Sequence, residues 1–301
     1  MLTRRRFLAI SAAGFVAGAA QAMNRLSFRA FGADCTLRLP GSALTARQAL
    51  QAVQTEIGAV ERAFSLYRRD SELSILNRDG EVVASETFRA ALDLARSLYR
   101  QTGGTFDPGV QAIWQAVAKG EDPQYAPLGL DAVLSNGPKL FFTQPGQALT
   151  FNGIAQGLAT DRAIRVLRRL GYRNLLANLG EFHALGHRSA GDPWRIGVEH
   201  PATREIVAEI RTELTGTAIA TSVPQATLVR GRPHIFDPLD RPGERWLSVT
   251  VQHADTALAD AWSTALAAAP RSLTEAMLSS TSGIREAILI PQNGAAVLWR
   301  P

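Results

Sequence analysis

A single cysteine, Cys35, stands among the 301 residues, which excludes an intrachain disulfide and any metal centre built on cysteine. The chain beyond its N-terminal segment lacks the ~18 uninterrupted apolar residues that a membrane-spanning helix needs. A formal charge of +5 comes without a long basic run, so nucleic acid has no support as a partner. Neither a Walker A lysine loop nor a three-glycine dinucleotide fingerprint occurs. Internal repeats, low-complexity tracts and clean linkers are absent as well. What is there is ordinary: 46% apolar and 20% charged residues, enough for a large core in one domain or two intimate ones. Cys35 lies in the apparent strand Cys35–Leu39 and reads as a buried small hydrophobe rather than a nucleophile.

The N-terminus carries an address. Thr3-Arg4-Arg5-Arg6-Phe7-Leu8 is a twin-arginine pattern, followed by an apolar stretch from Leu8 to Ala20 and by Ala20-Gln21-Ala22. This is a charged start, an apolar region too short to span a bilayer and a small-residue cleavage site. Residues 1–22 are therefore expected to be a signal peptide and 23–301 the mature domain, working in the periplasm. Loss of Arg4, Arg5 and Arg6 lowers the formal charge by three, to +2.

Along the mature chain, residues 25–39 predict two short strands joined at Gly32-Ala33-Asp34. Leu44–Phe64 predicts a helix capped by Thr45, with Leu50, Val53, Ile57, Val60 and Phe64 on one stripe. A second helix is expected from Ser85 to Gln101, stopped by Gly103-Gly104, and residues 118–138 look like a surface excursion. Strands are predicted at 140–143, 148–151, 174–179, 182–185, 194–198, 206–212, 246–251, 287–290 and 295–298, with a short helix at 273–278. Strand blocks interspersed with helices, without a regular βα repeat, indicate an α+β fold.

Two stretches carry chemistry. The first is 234–264. His234-Ile235-Phe236-Asp237-Pro238 ends in a turn, since Pro238 keeps Asp237 out of the helical region. An alternating strand follows, with Leu247, Val249 and Val251 on one face, and then a helix starting near Asp255 or Thr256. Asp260 and Thr264 are one helical turn apart, with Ser263 beside them. One carboxylate and two hydroxyls suit a hard cation such as Mg2+, though a surface patch near a helix start would look the same. The second stretch is Asn152-Gly153-Ile154-Ala155-Gln156-Gly157, read as a strand delivering Asn152 to cap a helix that runs to about Leu170. Its first N–H groups, left bare by Gly153 and Gly157, could receive a pyrophosphate; small packing residues explain the pattern equally well.

In chain order these stretches resemble the ApbE family, the FAD:protein FMN transferases. The resemblance rests on Ser65-Leu66-Tyr67, Ser71-Glu72-Leu73-Ser74, Leu76-Asn77, Gly103-Gly104-Thr105-Phe106-Asp107-Pro108 and Asn152 to Gly157. It continues through Pro193-Trp194-Arg195-Ile196-Gly197, Ala218-Ile219-Ala220-Thr221-Ser222, His234 to Pro238 and Ala259 to Thr264, and covers about 27–298. With the export signal it is similar to the NosX-type accessory protein of nitrous-oxide respiration.

The resemblance implies an ApbE-like fold with the flavin site between two intimately packed lobes. It also implies transfer of the FMN half of FAD to a threonine or serine hydroxyl of an exported or membrane-anchored flavoprotein, with AMP released. Carried over by position, Asp260, Ser263 and Thr264 would hold Mg2+ together with the backbone carbonyl of Gly153. Phe31, Tyr67, Thr105, Phe106, Asp107, Thr150, Gln156 and His234 would line the FAD site. Asp260 and His234 would be the catalytic pair, the histidine assisting proton removal.

The chain departs from the family pattern at four places. Thr150 stands for an aspartate, Gln156 for a lysine, Gly180-Glu181-Phe182 for Gly-Gly-Asp, and Val223 for a glycine. Loss of two opposite charges at 150 and 156 is self-compensating, whereas Glu181 is expected to narrow the pocket. Two further readings stay open: a pyrophosphatase giving FMN and AMP, and a non-catalytic flavin-binding or chaperone protein. For the address, changing Arg4→Lys together with Arg5→Lys should leave uncleaved precursor in the cytoplasm, read by immunoblot of cell fractions. Normal recovery of mature protein from the periplasm would contradict the assignment.

Overall fold

The computed structural model describes residues 8–10, 23–123, 126, 128–189 and 191–301. Among these, eight strands form one antiparallel sheet whose spatial order follows the chain. They are β1 (Met23–Ala30), β2 (Ala33–Pro40), β3 (Leu175–Asn178), β4 (Phe182–Leu185), β5 (Thr217–Ser222), β6 (Ser248–His253), β7 (Glu286–Ile290) and β8 (Val297–Trp299). Each pairs with the next. The helices enter as two insertions. α1 (Ala43–Phe64), α2 (Glu72–Asp79), α3 (Glu86–Gln101), α4 (Val110–Lys119) and α5 (Ala155–Arg169) lie between β2 and β3. α6 (Thr256–Ala268) and α7 (Arg271–Ser280) lie between β6 and β7. This is the expected α+β class.

Burial explains why the middle strands read as continuous apolar runs. One face of the sheet, through Leu37, Leu39, Leu175, Ala177, Val249 and Val251, joins the core made with α1, α3, α5 and α6. The other face, through Leu176, Phe182, Ala184, Ile219 and Ile288, packs on Trp194, Ile196, Val198 and Ile210. Those four belong to or flank the antiparallel pair Arg195–Glu199 and Ile206–Arg211, so the sheet is covered on both sides. β6 is buried along its whole length for this reason. Leu247 precedes the strand and packs with the second core, not with Val249 and Val251 as the alternation predicts. Cys35 is buried, as expected.

Several boundaries differ for local reasons. The turn between β1 and β2 is Phe31-Gly32, both with positive φ (51° and 70°), which matches the twist of a two-residue hairpin. Ser42 caps α1, accepting from the Thr45 N–H, so the capping residue lies three positions before the predicted one. Ser85 caps α3 as read, through the Phe88 N–H. Residues 148–151 are extended without a ladder partner; Leu149 instead exchanges both backbone bonds with the Asn77 side chain. α2 and α4 were not anticipated, and α4 occupies the stretch just before the predicted surface excursion.

Leu8–Ile10 add a strand to Arg195–Glu199, with Leu8 opposite Val198. The rest of the segment expected to be an export signal, including Arg4, Arg5 and Ala20-Gln21-Ala22, lies outside the described residues. Among the described residues, no helix is long and apolar enough to cross a membrane.

Beneath the loop that leads into α5, the rings of Phe64, Phe88 and Phe151 pack at centroid distances of 4.8–5.4 Å. Tilted and edge-on contacts of this kind add to the area they bury. Phe88→Ala should therefore lower unfolding free energy by about 3–5 kcal/mol, measured by urea titration, because the enclosed ring leaves a cavity.

Candidate active site

α6 presents Asp260 and Thr264 on one side, and α5 meets it there. At Gly157 an added Cβ would lie 2.6 Å from the Ala257 Cα and from the Thr256 carbonyl oxygen, so only glycine permits this crossing. The Gly157 N–H donates to Asp260 Oδ2 at 3.3 Å. Gly157 is thus a helix-packing residue, and α5 does not begin at Asn152. It starts at Ala155 after the Asn152-Gly153-Ile154 turn, with no side-chain cap. The Thr150 hydroxyl accepts from the Asn152 N–H (3.2 Å), so Thr150 shapes this turn. In the helix approach Asn152 is exposed and Gly153 half-buried, and Ile154 to Gly157 are buried.

Gly153 lies against Phe106 and Thr264: a Cβ there would be 3.0 Å from the Phe106 ring and 3.4 Å from Thr264 Oγ1. This joins three predicted residues, Gly153, Thr264 and Phe106, around Asp260. Ser263 is enclosed more deeply. Its hydroxyl donates to the Asp260 carbonyl oxygen (2.9 Å) and contacts Ser222 Oγ at 2.8 Å. Ser222, on β5, also reaches Thr264 Oγ1 at 3.3 Å, which makes a cluster of three hydroxyls bonded to the Asp260 backbone carbonyl through Ser263. The donor set around Asp260 is all oxygen, which suits a hard cation and no soft one.

The Thr105-Phe106-Asp107 loop and the His234–Pro238 segment are tied together by one arginine. Asp237 is buried and accepts from Arg241 Nε (2.7 Å), Arg241 Nη2 (2.9 Å) and the N–H groups of Leu239 and Arg241. Arg241 also donates to the Thr105 hydroxyl, whose own proton goes to the Thr102 carbonyl. Thr105 is therefore a bridge between loops and is 3% exposed, too little to line a ligand surface by itself. His234 holds its ring by Nδ1 against the carbonyls of Pro224 (2.8 Å) and Thr227 (3.2 Å). A carbonyl can only accept, so Nδ1 carries the proton and Nε2 carries the lone pair in the neutral ring. Trp114 on α4 donates to the His234 carbonyl (3.0 Å), a contact that no motif announces.

The other predicted residues divide. Tyr67 is 87% exposed, an aromatic ring presented to solvent. Phe31 is half-buried against the main core and its N–H donates to Glu61 Oε1. Gln156 is buried with its amide against Gly180. Glu181 does not project as expected: it is buried and accepts from the Thr221 N–H at 3.3 Å. Two groups that sequence reading passed over matter here, Ser222 and Asp161. Asp161 accepts from the Thr256 N–H (2.8 Å) and the Ala257 N–H (2.9 Å). The N-terminus of α6 is thereby capped by a side chain of α5, whereas Asp255, the cap that sequence suggested, makes no such bond.

The buried ionisable groups are displaced from their ordinary ranges. Burial raises Asp161, against the two N–H bonds that favour its ionised form. His183, bonded through Nδ1 to the Thr256 hydroxyl (2.9 Å), is pushed down to about 3 by burial and by Arg168 and Arg285. Burial lifts Asp107 to about 6, opposed by the N–H groups of Gly109 and Gly129. Asp107 therefore faces its own turn and holds the loop from within.

Comparison with known proteins comes to the same place in sequence and in fold. The sequence profile described as the ApbE family matches residues 31–289. The FAD:protein FMN transferase of Salmonella typhimurium is 26% identical over 241 residues, 71% of this chain and 69% of that protein. The protein of the same name from Escherichia coli strain K12 is 24% identical over the same shares. The structure resembles that of the flavin transferase ApbE from Vibrio cholerae, with a TM-score of 0.77 at 22% identity over 93% of this chain and 97% of that one. It also resembles the apo form of the Pseudomonas stutzeri flavinyl transferase ApbE, with a TM-score of 0.78 at 23% identity over 93% and 94%.

The raised Asp107 has a stability signature. The folded state binds the proton more tightly than the unfolded chain, so this contribution is present below pH ~4 and is lost as pH rises through about 6. Asp107→Asn, which still accepts from Gly109, should gain roughly 2–3 kcal/mol over wild type between pH 4 and 7. Melting curves of both proteins across that range measure it. The lowered His183 acts in the opposite sense in both, and cancels.

Proposed function

The chain belongs to the ApbE family, and we propose that it transfers the FMN half of FAD to a hydroxyl of another exported protein and releases AMP. The observation that carries this reading is the junction of Asp260, Thr264, Gly153 and Phe106 at the crossing of α5 and α6. Asp260, Thr264 and the Gly153 carbonyl, with Ser263 behind them, would hold Mg2+. Bound there, the ion would neutralise charge developing on the transferring phosphoryl group.

The chain's own residues have separable tasks. Tyr67 supplies exposed aromatic surface for a flavin or adenine ring, and the buried Phe106 backs the Gly153 turn. Arg241 and Asp237 hold the Thr105–Asp107 loop against the His234 segment. His234 Nε2 accepts the proton of the incoming hydroxyl as its oxygen bonds to the FMN phosphorus and the bond to AMP breaks, AMP leaving with the electron pair. The hydroxyls of Ser222, Ser263 and Thr264 bond one another and Cys35 is buried in β2, which favours a nucleophile from outside the chain. The attacking hydroxyl thus comes from a threonine or serine of a partner. The twin-arginine start favours a partner in the periplasm, a membrane-anchored flavoprotein of nitrous-oxide respiration fitting the resemblance.

Asp260→Ala should reduce labelling of the acceptor domain by orders of magnitude, read by in-gel flavin fluorescence and intact mass after incubation with FAD and Mg2+. The acceptor threonine changed to alanine should abolish it as well. Free FMN and AMP without labelling would point to a pyrophosphatase, and unchanged FAD to a binding protein; equal labelling by wild type and Asp260→Ala would sink the metal assignment.

A further inference from the structure

The first turns of α5 and α6 hold each other reciprocally. Gly157 of α5 donates its N–H to Asp260 of α6. Thr256 and Ala257 of α6 donate theirs to Asp161 of α5. The accepting carboxylate stands four residues after the donor in α5 and three or four after the two donors in α6, about one turn on, so two reciprocal arms cross at the point where Gly157 lets the backbones touch. The arms are not equal. The Asp161 bonds are 2.8 and 2.9 Å, whereas the Asp260 contact is 3.3 Å.

We infer that Asp161 is a positioning residue for the metal carboxylate, fixing α6 on α5 so that Asp260 can exchange the Gly157 N–H for the cation without the crossing opening. The inference rests on the proposed metal role of Asp260 and adds the residue that sets where that carboxylate stands. An uncapped helix N-terminus leaves N–H groups unsatisfied, and here the capping group belongs to the helix that carries the Gly153 side of the site. Asp161 also touches the Thr256 hydroxyl, which is shared with His183 Nδ1, so its side chain is held from behind. Thr264, two turns along α6 from Thr256, inherits the same placement.

The test uses two variants that loosen the crossing by unrelated means. Asp161→Asn keeps one acceptor and turns an N–H donor toward the second backbone N–H. Gly157→Ala keeps both carboxylates and forces the backbones apart. For each purified protein, flavin fluorescence gives the Mg2+ concentration for half-maximal change in bound FAD, and turnover gives KM for Mg2+ and kcat. Melting temperature is recorded alongside. Both variants should raise the Mg2+ midpoint and KM by about 10–100-fold, the usual effect of losing an outer partner of a metal ligand, with kcat at saturating Mg2+ largely retained. A lower melting temperature with an unchanged Mg2+ midpoint would reduce Asp161 to a helix cap and overturn the inference. Asp260→Ala is the control. If it titrates with Mg2+ like wild type, the metal site itself is wrong and the positioning role falls with it; if it loses the titration while Asp161→Asn keeps a normal one, only the positioning role fails.

Discussion

The distance between α5 and α6 is the constraint on which the site depends. A Cβ at position 157 would overlap the α6 backbone at 2.6 Å, far inside any van der Waals contact. That one missing methyl brings the only described carboxylate on α6 to the first turn of α5, and brings Thr264 to Gly153 and Phe106. Small residues continue the close packing on the sheet side, where Ala259 meets Ala218 and Ala220. β5 can then deliver Ser222 to within hydrogen-bonding distance of Ser263 and Thr264. The hydroxyl cluster is a consequence of that fit, because larger side chains at these alanines would lift α6 off the strand.

A rigid sheet does not supply the chemistry by itself. The candidate site sits on insertions, with Phe106 and Gly153 in the long excursion between β2 and β3, His234 between β5 and β6, and Asp260 after β6. Such segments need cross-bracing to behave as one surface. Arg241 provides it with a planar fork that addresses the buried Asp237 through two nitrogens and also reaches Thr105. The charged pair is sheltered, and Asp237 has further backbone donors, so its burial is compensated. A lysine would serve poorly, having no fork.

Legibility in the sequence followed the range of the interactions. The α+β class, the helices 43–64 and 86–101, and most strands were legible because local periodicity and caps encode them. The oxygen cluster on α6 was legible from i, i+4 spacing alone. α2 was missed because it is only eight residues long, and α4 because Gly109 and Gly120 at its ends look like loop residues. Asp161 was invisible for a different reason. Its bonds are to backbone N–H groups 95 and 96 residues away, and no local pattern marks a carboxylate that caps another helix. Of the two readings left open for Gly157, packing is the one the structure bears out; a glycine that admits a second helix and one that admits a phosphate look alike in sequence.

The buried carboxylates differ in how firmly their bonds hold them. Asp237 is saturated by arginine and backbone donors, and Asp161 holds two short bonds to the start of α6. Asp107 closes its own loop through Gly109 at 2.7 Å. Each of these would have to break short bonds in a low-dielectric setting to take a cation, at a cost that a weak new contact would not offset. Asp260 is just as buried, at 3% exposure, but the bond it accepts from Gly157 is long, at 3.3 Å, and Thr264, one turn along α6, is half-buried. A carboxylate whose bond to the neighbouring helix is long, on a helix held by short ones, can change partner while its position stays defined, and that is the combination the proposed metal role calls for.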